Sequence, residues 1–133
     1  MKLDQNNYVD IAEKAIKNLI EMKNKYGKPE KLVTTSQIRN LLAMTADIYN
    51  DVVNSQSEIL SDEVIGRINY LKIRFVYEAG RDSGTPVKNL MDKADILNHI
   101  QSINGRKSNY IVFSRYMEAL VAFRKFYADD KDI

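Results

Sequence analysis

The segment from about Ser108 to Ala128 is apolar over most of a helical circumference. Wound at about 100° per residue, Ile111, Val112, Phe113, Tyr116, Met117, Leu120, Val121, Phe123, Phe126 and Tyr127 leave little wet surface. A helix greasy on most sides is buried, so this segment predicts a central helix around which the rest of the chain packs. Two prolines and five glycines among 133 residues make β-rich and disordered alternatives poor fits. No apolar run approaches the length needed to span a bilayer. The polar start, Met1 to Gln5, lacks the apolar core of a secretory signal.

Four amphipathic helices are predicted before it. From about Asn7 to Tyr26, the residues Tyr8, Ala12, Ala15, Leu19, Met22 and Tyr26 recur at four and three, and Gly27 and Pro29 end the run. The second helix starts near Thr34, where Thr34 and Gln37 have capping-box spacing. Ile38, Leu41, Leu42, Thr45, Ile48, Tyr49 and Val52 form its buried face. The polar run 54–57 precedes a third helix, capped by Ser61, with Asp62 and Glu63 in its favourable first turn. It runs to about Asp82, and Ser83 and Gly84 end it. Thr85 is the expected cap of the fourth, with Pro86 at its first position. Val87, Leu90, Met91, Ala94, Leu97 and Ile100 give that helix one apolar face, and Asn104 and Gly105 close it. The expectation is an all-α fold: a compact bundle of about five helices, the last one central. It forms a single domain over residues 1–133 with an acidic, frayed tail at about 129–133.

The third helix carries an unusual outer face. Arg67, Tyr70, Arg74, Tyr77 and Arg81 recur at three and four, so they share one narrow stripe. Val64, Ile65, Ile68, Leu71, Phe75 and Ala79 fall nearly opposite. Three planar guanidinium forks interleaved with two aromatic rings suit phosphate and base contact. The same pattern also describes a solvated face on which Glu78 pairs with Arg74 and Arg81. Net charge is +2, from 20 Lys and Arg against 18 Asp and Glu, so a nucleic-acid role must come from local patterning. Lys72 points to the apolar side of the wheel, where its stem can lie on apolar surface or meet a subunit contact.

Arg39 lies near the start of the second helix, where backbone N–H groups attract phosphate. Arg115, with Glu118 three residues on, and Lys125 lie on or near the narrow polar strip of the last helix. The lysines at 23, 25, 28 and 31 read as a solvated helix end and loop that adds long-range attraction at most.

Catalytic chemistry is sparse. His99, the sole histidine, shares a helix face with Asp95 and Asp92, which reads as an Asp–His pair on a surface helix. There is no second histidine to complete a metal site and no cysteine for a disulfide or thiolate ligand. No nucleophile elbow and no phosphate-cradling glycine loop occur. The chain therefore reads as a non-enzyme without cofactor or metal.

Four blocks are jointly specific. The segment Arg67 to Arg81 resembles the signature helix of the small subunit of type III-A (Csm) CRISPR effector complexes. Asn7 to Ile16, Thr34 to Leu42 and Arg115 to Phe123 match further blocks of that family, in family order. The resemblance implies a non-catalytic, cytoplasmic subunit that stacks in several copies along the groove holding the guide RNA and target RNA. Its implied partners are those RNAs, other copies of itself, the large polymerase-like subunit and the backbone subunits, with no membrane. Carried onto matching positions, Arg39, Arg67, Arg74 and Arg81 become RNA-backbone contacts. From the stripe itself Tyr70 and Tyr77 join them, either stacking on RNA or bracing the arginines against an adjoining copy, with Lys72, Arg115 and Lys125 as secondary candidates. A guide that reads by pairing leaves a subunit only phosphate and sugar to hold. The alternative is a helical adaptor that uses the same Arg/Tyr stripe to dock a protein.

Overall fold

The computed structural model describes residues 2–81 and 85–128. Six helices form among them: α1 (Tyr8–Ile20), α2 (Thr35–Val53), α3 (Asp62–Arg81), α4 (Pro86–Lys93), α5 (Ile96–Gln101) and α6 (Lys107–Tyr127). The α6 helix lies between α1 and α2, and α3 packs on α2, α4 and α5. Tyr110, Phe113, Tyr116, Met117 and Leu120 of α6 are fully enclosed, so the last helix is the centre of the core. No described helix is long and apolar enough to cross a membrane.

The caps explain where most helices begin. The Thr34 Oγ1 accepts from the Gln37 backbone N–H at 3.0 Å, and the Gln37 side chain accepts from the Thr34 N–H at 2.9 Å. Two otherwise orphaned donors are thereby satisfied. Ser61 Oγ accepts from the Val64 N–H at 3.3 Å. At the start of α6 the Glu58 carboxylate accepts from both the backbone and the hydroxyl of Ser108, which places an anion at the positive end of the central helix. Those bonds, with Arg106 nearby, hold the Glu58 carboxyl below its usual range.

Several expectations are corrected. The first helix stops at Ile20 rather than Tyr26, because the chain turns back on itself from Met22 to Glu30. Tyr26, expected on the buried face, is exposed. The single fourth helix is two, split at Ala94 and Asp95, where Asp95 takes a left-handed φ of 53°. Aspartate reaches that region more easily than most residues, so the break needs no glycine or proline. Thr85 also has a positive φ and makes no side-chain cap hydrogen bond, although Pro86 does occupy the first turn. Phe126 is not core: it is 77% exposed, and Tyr127 stands at the surface beside it. The predicted stop at 82–84 and the acidic tail at 129–133 lie outside the described residues.

The left-handed corner at Gly105 (φ 69°) is closely packed. A Cβ there would stand 3.2 Å from Ile65 Cδ1. Gly105→Ala is expected to cost about 1–2 kcal/mol from backbone strain alone. Urea denaturation checks it, and a neutral result would mean that Ile65 and the corner relax freely.

Candidate nucleic-acid interface

The α3 helix is aimed by its buried face. Ile68, Leu71 and Phe75 anchor one side in the core, so the residues opposite must face water. Tyr70 and Tyr77 are 59% and 62% exposed, and Arg74 and Arg81 are exposed beside them. At 1.5 Å per residue the row from Arg67 to Arg81 extends about 21 Å.

The five positions are not equivalent. Arg67 is a tether: it pairs with Asp51, and its Nη2 donates to the Asp47 carbonyl at 3.1 Å, which ties α3 to the far end of α2. Arg81 pairs with Glu78 at 3.0 Å, and its guanidinium stands 5.9 Å from the Tyr77 ring centroid. The expected second pair, Glu78 with Arg74, does not form. Glu78 leans toward Arg81, and Arg74 has no ion pair among the described residues. Arg74 instead borders a groove of about 580 Å³ between α2 and α3, shared with Asn40, Met44, Arg67 and Tyr70.

The other candidates distribute unevenly. Arg39 is exposed one residue before the groove-lining Asn40. Lys72 leaves α3 on another side, where its Nζ donates to Gln101 Oε1 at 3.2 Å. Arg115 borders a separate groove of about 430 Å³ with Lys2, Tyr8 and Asn109, and it makes no ion pair with Glu118 among the described residues. Lys125 is exposed in the last turn of α6. The outer face of α3 also carries apolar surface: Ile73 and Val76 are both exposed beside the tyrosines.

His99 is not a surface residue. It is 5% exposed, and its ring packs edge-on against Tyr116 at 5.0 Å. Burial holds its imidazole below the usual value of 6.5, against the opposing pull of Asp95. Among the described residues no group of three His, Asp or Glu could hold a metal ion. A buried imidazole that resists protonation has a defined effect on stability. The unfolded chain takes up the proton first, so stability is full above about pH 6.5 and falls as pH drops toward the folded-state value. Urea midpoints between pH 7.5 and 5.5 are expected to fall for the native chain and to change less for His99→Gln. Equal slopes would show that other groups set the dependence.

Comparison with known proteins decides what this scaffold is. The Csm2 type III-A family model matches residues 13–130. The chain belongs to the Csm2 type III-A family. It is similar, at 45% identity over 125 residues (94% of each chain), to the CRISPR system Cms protein Csm2 of Streptococcus thermophilus. It is 35% identical over 132 residues to the protein of that name from Mycobacterium tuberculosis, covering 99% of each. Against that from Enterococcus italicus it is 33% identical over 125 residues, covering 90% of this chain and 88% of the relative. Membership makes the chain a small subunit of a type III-A CRISPR complex. The earlier resemblance is thus correct at the level of family.

Proposed function

We propose that this subunit is a non-catalytic RNA-holding scaffold of the cytoplasmic effector particle. In this reading, copies stack along the guide RNA–target RNA duplex, and α3 faces the RNA backbone. The observation that carries it is the Arg74 guanidinium: exposed, without an ion pair among the described residues, and flanked by two open tyrosine rings on a rigid helix. A guanidinium fork fits phosphate geometry, and the open rings can stack, without base preference, on a base that lies outside the pairing. The large subunit and the backbone subunits are the remaining partners, and chemistry is left to them. Ile73 and Val76 favour one addition, an apolar protein contact beside the RNA row, such as a neighbouring copy.

The three arginines then have a rank order. Arg74→Ala removes a cation with no competing anion and is expected to flatten the salt dependence of RNA binding by roughly 0.7–0.9 per phosphate contact, the upper value being that of a duplex. Arg81→Ala follows, because Glu78 already neutralises part of its charge. Arg67→Ala has the smallest effect, because Asp51 and the Asp47 carbonyl occupy its donors. The measurement is RNA affinity of complexes assembled with each variant across a salt series. An unchanged slope for Arg74→Ala would sink the RNA reading of α3 and favour the protein-docking alternative.

A further inference from the structure

The turn between α1 and α2 is ordered rather than slack. The chain doubles back with Lys23 bridged antiparallel to Pro29. Asn24 holds the turn from inside. Its Oδ1 accepts from the Tyr26 and Lys28 backbone N–H groups at 2.8 and 3.1 Å, and its own N–H donates to the Lys28 carbonyl at 2.7 Å. Gly27 supplies the left-handed corner at φ 77°. The turn displays Lys23, Lys25, Lys28 and Lys31, all exposed and none ion-paired among the described residues, with Glu21 and Glu30 as the acidic residues of the same stretch. At its tip Tyr26 is 75% exposed, with the Lys25 ammonium 5.2 Å from its ring centroid.

Its position matters as much as its composition. The α2 and α3 helices run antiparallel. Arg67 reaches Asp51 and Asp47 late in α2, whereas Arg74, two turns on, shares the groove with Asn40 early in α2. On that register the α3 row runs toward the start of α2. The lysine turn ends at Lys31, four residues before Thr35 in the chain, and so leads into that end of α2.

We infer that this turn is a second contact for RNA, holding a single-stranded stretch that continues past the α3 row. The Tyr26 ring stacks on an unpaired base, and the lysines meet the flanking phosphates. The inference rests on the RNA reading of α3. An acidic protein surface would match the charge, but protein interfaces are depleted in lysine, whereas phosphate-tracking sites combine lysines with an open ring.

The test uses the complex assembled from the full chain, with guide and target RNA carrying 4-thiouridine throughout. Cross-linked peptides are mapped by mass spectrometry. Cross-links are expected at the turn peptide containing Tyr26 and at the α3 peptides. Tyr26→Ala should lower the turn cross-link by about fivefold or more, from the stacking lost, and leave the α3 cross-links within about twofold. Cross-links at α3 without any at the turn would overturn the inference and leave the α3 reading standing. Cross-links at the turn without any at α3 would overturn the α3 reading and with it the continuous path. Absence from both would overturn both. Lysines shielded from acetylation in the particle but never cross-linked would identify a protein occupant and likewise overturn it.

Discussion

Phe75→Ala is expected to lower the unfolding free energy by about 3–5 kcal/mol, a large part of the stability of a domain this size. Phe75 is fully buried on the inner face of α3, where it packs with the core that α6 centres. Removing the ring forfeits its transfer energy and leaves a cavity that helices held on several sides fill only partly. Its neighbour gives the contrast. Arg74 turns outward from the same helix, so Arg74→Ala is expected to change stability by no more than about 0.5 kcal/mol. Urea denaturation followed by circular dichroism measures both. If Arg74→Ala cost as much as Phe75→Ala, the outer row would be structural and its assignment to RNA would fail.

Tyr116→Phe is the second large effect, at about 1–3 kcal/mol. The Tyr116 hydroxyl donates to the Ala94 carbonyl at 2.7 Å. That carbonyl sits at the break between α4 and α5 and takes no backbone hydrogen bond among the described residues. Deleting the hydroxyl therefore leaves a buried acceptor unsatisfied. Tyr110 makes a similar bond, to the Thr45 carbonyl at 2.6 Å. Thr45 lies inside α2, where the helical ladder also uses its carbonyl. Tyr110→Phe is accordingly expected to cost less, about 0.5–1.5 kcal/mol. Burial pushes both phenols well above their usual pKa, so neither hydroxyl ionises at ordinary pH. Equal losses for the two variants would refute the role given to the break.

The architecture was legible where periodicity and caps agree. The Thr34–Gln37 box and the Ser61 cap act within a few residues of themselves and are found as the pattern implies. The α6 helix is central through Phe113, Tyr116, Met117 and Leu120, though Phe126 and Tyr127 fall outside its buried face. What escaped depends on tertiary choice. Met22 and Tyr26 keep helical spacing, yet the Asn24–Gly27 turn wins over one more helical turn that would bury little. The break at Asp95 has no glycine or proline to announce it. His99 reads as wet because unbroken helical spacing would put Asp92 and Asp95 on its face, but Asp92 lies on α4 across the break, and α5 packs the imidazole against Tyr116. Arg124 was missed although its signal was present. Tyr110, Phe113, Met117, Leu120 and Arg124 recur at three and four, so the arginine continues the buried stripe, and its Nε donates to the Val33 carbonyl at 2.8 Å. In the candidate interface, side-chain placement on α3 followed from the wheel, but the pairing of Arg67 with Asp51 could not. It joins residues 16 apart on different helices.

The order of the helices along the chain sets a constraint on synthesis. The α6 helix leaves the ribosome after every element that packs on it, and its partner α1 leaves first. Until α6 emerges, the apolar faces of α1 and α2 have no central surface to close on, and the contacts that enclose them span most of the chain. Each nascent chain therefore waits with its core open until its last helix is made. Apolar faces left open in this way invite pairing between growing chains through the wrong surface, and completion of α6 is the step that closes them.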